Sequence, residues 1–142
     1  MTTNCILALI FTIALEIGVP PGFAQAIAWV EHGGKIEIEA VSPPNRNGTT
    51  DLGVMQLNDR YFGHINWRCP ETNIRAGVNH IKWLTTLRQM QTWYQVAICY
   101  NMGTEWLLEG KQPFPVSVEY AARVMNKWQE LDPHGVRTVL KK

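Results

Sequence analysis

The sequence predicts a mostly helical α+β domain. Apolar residues recur at helical spacing in five separate segments, whereas only one stretch alternates as a half-buried strand does. A chain of 142 residues is long enough to bury one contiguous core, and it contains no internal repeat or linker that would divide it. We therefore expect a single domain over residues 1–142, with its core at about residues 6–131.

Two helices are predicted at the start of the chain. Residues 3–17 form an apolar helical segment, and Gly18 ends it. Pro20 and Pro21 suit the first turn of a second helix, where a missing N–H would have no partner anyway. This second helix is expected to run to about His32, immediately before a pair of glycines that favour a helix C-terminus.

The first helical segment also resembles a secretory signal peptide. "CILALIFTIAL" has the length of a signal h-region, and "AQA" at residues 24–26 has the pattern of a cleavage site. However, no basic residue precedes it, Glu16 interrupts it, and cleavage would cut through the helix that carries Glu31. The apolar run is also too short to cross a bilayer as a helix. A buried N-terminal helix is the stronger interpretation, so no export signal is evident and no integral membrane protein is expected.

The predicted β-region is small. In "KIEIEAV", Ile36 and Ile38 alternate with charged residues, which is typical of a strand with one wet face. The following "SPPNRNGTT" consists of turn-forming residues, and "DLGVMQLN" supplies a return segment. We expect the three segments to form one hairpin.

Three further helices are predicted in the second half of the chain. Apolar residues at helical spacing mark residues 71–90, 92–101 and about 115–131. Beyond them, Arg137, Lys141 and Lys142 indicate a solvated C-terminal end.

Composition excludes several classes of function. Thirteen Lys and Arg against twelve Asp and Glu give a net charge of +1, so no basic field attracts nucleic acid. No residues have metal-ligand spacing, and we expect neither a metal nor a cofactor. The odd cysteine count leaves at least one free thiol; a Cys69–Cys99 disulfide in an exported protein is the alternative to small buried thiols. The six tryptophans suggest some exposed platforms for a ligand ring, although most are expected in the core.

Glu31 is the candidate for chemistry on the second helix. It shares a helix face with Ala24, Ile27 and Ala28, so its side chain belongs to the apolar stripe. Burial there and the negative end of the helix dipole both raise the pKa of a carboxyl group. A carboxylic acid that keeps its proton near neutral pH can protonate the leaving oxygen of a glycosidic bond. The alternative is a solvated Glu31 that pairs with a neighbouring cation.

Five stretches in order resemble the blocks of one enzyme family. They are "GVPPGFAQAIAWVEHGG", "DLGVMQLN", "PETNIRAGVNHIKWL", "AICYNMG" and "VEYAARVM". Together they are similar to the lytic transglycosylases, whose lysozyme-like domain cleaves peptidoglycan. The longer form "GTTDLGVMQLN" is most similar to small single-domain members of secretion, conjugation and phage systems, which open the wall for an assembly.

The resemblance implies a role for each matched residue. Glu31 would be the general acid and then the base that cleaves the β-1,4 bond between N-acetylmuramic acid and N-acetylglucosamine, leaving 1,6-anhydro ends. Tyr120 would orient Glu31, and the substrate cleft would be lined by Gln56, Tyr100, Asn101 and the backbone around Gly53 to Met55. The alternative for the Met55 side chain is core packing. The implied partner is a peptidoglycan glycan strand in the periplasm or cell envelope, and we expect a monomer.

The sequence departs from the family pattern at three positions. His32 follows the glutamate where the family usually has serine, and Cys99 and Met102 replace small alanines. We therefore expect His32 among the substrate-binding residues, with the alternative that its imidazole lowers the pKa of Glu31.

The sequence leaves two rival functions open. If Asp51 lay about 6.5–9.5 Å from Glu31 it would activate water, which describes an inverting hydrolytic lysozyme; we favour a turn or cap role for Asp51. The second rival is a wall-binding module that keeps the cleft and has lost turnover.

Overall fold

The computed structural model describes residues 1–141, and in that range it contains seven helices and one two-stranded antiparallel sheet. The elements are α1 (Thr3–Ile17), α2 (Pro21–Glu31), β1 (Asp51–Leu52), β2 (Leu57–Asn58), α3 (Asp59–Phe62), α4 (Pro70–Thr85), α5 (Trp93–Met102), α6 (Glu105–Leu108) and α7 (Pro115–Leu131). The predicted fold class, mostly helical with a small β-region, is confirmed.

Helix α1 is a core element. The Thr2 hydroxyl caps its N-terminus by accepting from the Cys5 N–H at 3.1 Å, and Gly18 ends it in the left-handed conformation with φ 91°. Ile6 and Ile10 are fully buried against α2 and α4. The expected buried N-terminal helix is confirmed. Along residues 1–141, no helix combines the length and apolar character needed to cross a membrane.

Helix α2 lies between α1 and α7 and presents Glu31 at its last residue. Phe23 is fully buried and packs with its ring centroid 4.9 Å from Trp93 and 5.3 Å from Trp128. Gly22 permits this approach, because a Cβ there would lie 2.7 Å from the Trp128 ring. The close α2–α7 pair fixes the position of the helix end that carries Glu31.

The predicted strand at residues 35–41 is wrong. Within it only Val41 pairs, through an isolated bridge to Leu52, and the sheet is instead β1 against β2 with Leu52 opposite Leu57. The reason is the backbone hydrogen bonding: the Ile36 N–H donates to Thr3 Oγ1 and the Glu37 N–H to His32 Nδ1. Side chains satisfy these groups, so no ladder forms.

Helices α4, α5 and α7 follow the predicted segments with one difference. The segment predicted at 71–90 ends at Thr85, where the Thr85 and Thr86 hydroxyls donate to the carbonyls of Lys82 and Trp83 and so satisfy the last turn. Trp83 is half exposed, as expected for some tryptophans. The short helices α3 and α6 were not predicted.

The C-terminal segment packs on the domain. The Trp93 N–H donates to Thr138 O at 3.0 Å, the Leu140 N–H donates to Gln91 O at 2.9 Å, and Leu140 is buried. Arg137 and Lys141 are exposed, as predicted for a solvated end, whereas Leu140 packs on the core because it is apolar and the backbone that leads into α5 needs partners. The core extends past residue 131, and Lys142 lies outside the described residues.

The three cysteines are free thiols in the structure. Cys99 is buried in α5, and Cys69 precedes α4. The alternative of a Cys69–Cys99 disulfide is not what the structure contains.

Candidate active site

Glu31 lies at the end of α2 with its carboxyl group against α7. The Tyr120 hydroxyl donates to Glu31 Oε2 at 2.8 Å, and Tyr120 is itself buried in α7. No ion pair of Glu31 is found in residues 1–141, so the interpretation of a solvated, cation-paired side chain does not hold. Helices α2 and α7 thus place the partly buried carboxyl group of Glu31 beside the hydroxyl of Tyr120.

Burial raises the pKa of Glu31 from 4.5 to about 8. The negative charge of Asp51 contributes to this net increase, whereas the Tyr120 hydrogen bond and the positive charge of Arg123 lower the pKa. Burial also keeps the pKa values of Tyr100 and Tyr120 well above the usual range. At neutral pH the carboxyl group therefore carries a proton, and both phenols remain donors.

The loop between β1 and β2 supplies the facing wall of the site. Gly53 has φ 73°, and a Cβ there would collide with the Asn73 side chain and the Trp67 carbonyl, so this position requires glycine. Gln56 also has a positive φ of 50°, and its Nε2 donates to the Gly53 carbonyl at 3.0 Å. Non-glycine residues seldom adopt this conformation, so the surrounding contacts must hold it.

Asn73 of α4 is a buried residue that holds this loop. Its Oδ1 accepts from the Met55 N–H at 2.8 Å, and its Nδ2 donates to Leu52 O at 3.0 Å and to Trp67 O at 3.1 Å. Sequence reasoning did not include it among the site residues. The available signal was its place at the start of the "NIRAG" block, where a polar residue falls on the apolar face of α4.

Met55, Tyr100 and Asn101 differ in their access to a ligand. The Met55 side chain is fully buried, which is the core packing that the sequence left open, so any contact of Met55 with a ligand would be made by its backbone. Tyr100 is half-buried, and its hydroxyl donates to Met55 O. Asn101 is exposed, with its Oδ1 accepting from Ser117 Oγ at 2.7 Å. Tyr100 therefore connects α5 to the loop, and Asn101 lies at the surface beside it.

His32 connects the end of α2 to the same loop. Its Nε2 lies 2.9 Å from Val54 O and 3.2 Å from Gly53 O, while its Nδ1 accepts from the Glu37 N–H at 3.3 Å. Two carbonyl acceptors require the proton on Nε2. Both ring nitrogens bond to backbone, so His32 holds the loop against the end of α2, and its substrate contact stays a prediction.

Asp51 is the second carboxylate near the site. It lies in β1, so the predicted turn or cap role is wrong, and its Oδ1 accepts from Asn45 Nδ2 at 3.2 Å and from Asn58 Nδ2 at 3.4 Å. Its negative charge raises the pKa values of Glu31 and Tyr100. The β-side of the site therefore contributes a negative charge near the protonated Glu31.

Nothing in the described part of the chain groups three or more His, Cys, Asp or Glu side chains as a metal ion would require. The site consists of a carboxylic acid, a second carboxylate, two phenols and a loop whose backbone groups are held by side chains. This set can transfer protons.

Comparison with known proteins identifies the family. A family model described as the transglycosylase SLT domain matches residues 8–112, from within α1 to beyond α6, and ends before α7. No curated protein and no solved structure matched the chain in the corresponding comparisons. Because the matched range covers most of the chain and includes Glu31 and the loop, the chain belongs to the transglycosylase SLT domain family, whose activity is lytic cleavage of peptidoglycan.

Proposed function

We propose that this protein is a lytic transglycosylase in which Glu31 acts first as general acid and then as general base. The observation that carries the proposal is the partly buried Glu31 carboxyl group, which has a pKa of about 8 and accepts a hydrogen bond from Tyr120. An acid with that pKa is protonated when substrate binds at neutral pH.

The first step would be proton transfer from Glu31 to the oxygen of the glycosidic bond. The C–O bond breaks and N-acetylglucosamine leaves as an alcohol, while positive charge develops at C1 of N-acetylmuramic acid. The negative charge of Asp51, which already acts on Glu31, would favour that positive charge. The substrate's own N-acetyl group can assist at C1, so no second protein nucleophile is needed.

The second step would return the proton. The ionised Glu31 is a strong base because its pKa is high, and it would take the proton of the muramyl 6-hydroxyl as that oxygen attacks C1. A 1,6-anhydro ring closes, no water is consumed, and Glu31 is protonated again. Tyr120 would hold the carboxyl group in place through both steps.

Hydrolysis is the rival that Asp51 supports. If Asp51 acted as base toward water, the products would have reducing ends in place of anhydro ends. The two amide groups that donate to its Oδ1 engage Asp51 in contacts with Asn45 and Asn58, which favours an electrostatic role instead. Asp51→Asn should therefore slow cleavage without changing the products, which should remain anhydro-muropeptides. Reducing ends released by the wild type would instead support the hydrolase.

The experiment that tests the proposal is release of muropeptides from purified sacculi. Wild type should release them, whereas Glu31→Gln should lose activity by at least about a hundredfold, because the amide cannot donate a carboxyl proton. Glu39→Gln is the matched control, since Glu39 is an exposed glutamate near the same helix end. If wild type and Glu31→Gln both pelleted with sacculi and released equally little, the protein would be a wall-binding module.

The place of action follows from the substrate. A peptidoglycan-cleaving enzyme acts in the periplasm or cell envelope, and we propose that location together with a monomeric, single-domain enzyme. The block "GTTDLGVMQLN" supports a place among the small members that serve a secretion, conjugation or phage assembly.

A further inference from the structure

A groove beside Glu31 lies outside the mechanism described above. It has a volume of about 320 Å³ and runs between the end of α2 and the exposed side of α7. We call it the α2–α7 groove; its lining includes Trp29, Val30, Gly33, Arg123, Asn126 and Lys127. Val30 precedes Glu31 in the chain and Gly33 follows it by two residues, so the groove lies beside the end of α2 that carries Glu31.

Arg123 is the uncompensated charge of this groove. It is exposed and makes no ion pair within residues 1–141. Lys127 is already engaged, because its Nζ lies 3.1 Å from Glu130 Oε2 and 3.7 Å from the centroid of the Trp29 ring. The groove therefore has a net positive charge that comes from one available guanidinium group.

Arg123 lies near the Glu31–Tyr120 pair. It follows Tyr120 by three residues on α7, which is about 4.5 Å along the helix axis, and Tyr120 is bonded to Glu31. The positive charge of Arg123 acts on both Glu31 and Tyr120. A substrate with its glycosidic oxygen at Glu31 would therefore place its neighbouring substituents within reach of Arg123.

The substrate class supplies a matching anion. In peptidoglycan, the muramyl ring that is cut at C1 has a lactyl group at C3, and the peptide stem attached there carries carboxylates. A guanidinium group binds a carboxylate through two parallel hydrogen bonds. We propose that Arg123 binds a carboxylate of the peptide stem in the α2–α7 groove, so that the enzyme prefers stem-bearing to stem-free glycan. This inference rests on the proposed function.

The test compares stem-bearing glycan with glycan whose stems have been cut off at the lactyl amide bond, so that each muramyl residue loses the stem carboxylates and keeps the lactyl carboxylate that the hydrolysis leaves. Glycan strands are assayed intact and after an amidase has removed the peptides, with wild type, Arg123→Gln and Arg123→Lys. Assays at about pH 6 keep Glu31, with its pKa of about 8, protonated in each variant. Lys111→Gln is the control for loss of an exposed cation, because Lys111 pairs with Glu109 outside this groove.

We expect Arg123→Gln to lower kcat/KM about tenfold more on stem-bearing than on stem-free glycan, with the difference mainly in KM. Any effect of the substitution on the pKa of Glu31 is common to both glycans, so the ratio isolates stem binding. On stem-bearing glycan, kcat/KM of Arg123→Lys should lie between the values of wild type and Arg123→Gln, since lysine keeps the charge and loses the bidentate geometry. An equal loss on both glycans, or no loss on either, would overturn the proposal. Glu31→Gln should abolish cleavage of both glycans; if it did not, the proposed function would fail independently of Arg123.

Discussion

Glu31 combines two properties that are usually in conflict. Removal of the carboxyl group from water raises its pKa to about 8, while Tyr120 and Arg123 lower the pKa and keep the ionised form accessible. A group of this kind can give a proton at neutral pH and accept one in the next step. In the proposed reaction, one residue therefore serves as both acid and base.

Tyr120 is a positioning residue for Glu31, and Tyr120→Phe tests this role. Loss of the hydroxyl removes a hydrogen bond that lowers the pKa of Glu31, so the alkaline limb of the pH–rate profile should move to higher pH. Loss of orientation should also reduce kcat by about tenfold or more. A variant with wild-type kcat and an unmoved alkaline limb would contradict this role.

His32 holds the loop that faces Glu31. His32→Ala would leave the Gly53 and Val54 carbonyls without their ring donor, at a cost of about 1–3 kcal/mol in the free energy of unfolding. We expect both a lower unfolding midpoint in urea and a lower kcat, because the loop would lose its contact with α2. His64→Ala is the control, since His64 is exposed; equal effects of the two substitutions would exclude the role given to His32.

At the scale of elements, α4 contributes to the site through Asn73. Asn73→Ala would leave three backbone groups without their partner, those of Leu52, Met55 and Trp67. We expect a loss of about 2–4 kcal/mol in the free energy of unfolding, since buried unpaired polar groups are costly. Urea unfolding of Asn73→Ala and of Asn79→Ala, an exposed asparagine on the same helix, measures the difference. Similar stability of both variants would mean that Asn73 does not hold the loop.

The helices could be predicted from the sequence because their apolar spacing and capping residues agree. α7 has the predicted bounds, and α2 ends next to the predicted residue. The strand at 35–41 could not be excluded in this way, because alternation of Ile36 and Ile38 also occurs in an irregular segment. Contacts with residues outside the segment decide its structure, because Thr3 Oγ1 and His32 Nδ1 accept hydrogen bonds from its backbone N–H groups.

The candidate site was partly accessible from the sequence. Glu31 was marked by a charge on an apolar helix face, and Tyr120 by the family resemblance. The roles of His32, Asn73 and Arg123 depend on tertiary contacts over long sequence separations, which spacing does not reveal. The burial of the Met55 side chain likewise appears only in the packed fold, so the sequence could not decide between core packing and the cleft.

At the scale of the whole molecule, Glu31 should reduce folding stability as the pH rises. Its pKa is about 8 in the folded protein and 4.5 as a reference for the unfolded chain, so the folded state binds the extra proton between these values. Wild-type stability should therefore fall as the pH rises from about 4.5 to about 8, whereas Glu31→Gln has no such proton to lose.

Urea unfolding of wild type and Glu31→Gln at about pH 5 and pH 9 measures this effect. From about pH 5 to pH 9, the free energy of unfolding of the variant should increase relative to that of wild type by on the order of a few kcal/mol, because each unit of pKa shift corresponds to about 1.4 kcal/mol. A difference that stays constant with pH would show that the pKa of Glu31 is not raised in the folded protein.

The first and last helices both pack against α2, the helix that carries Glu31. α1 supports α2 from one side, α7 supports it from the other, and residues 138–140 pack against the start of α5. The mostly helical class was predictable from helix periodicity, and its lysozyme-like character from the family resemblance. The packed C-terminal segment was not predictable, since its only local signals are basic residues. Organisation as a single domain stays a prediction.

Digestion of sacculi in water labelled with heavy oxygen, followed by mass spectrometry of the muropeptides, tests the central claim most directly. The account predicts 1,6-anhydro ends without heavy oxygen, formed by wild type and Glu39→Gln and absent with Glu31→Gln. Reducing ends that contain heavy oxygen, or anhydro ends that persist with Glu31→Gln, would contradict it.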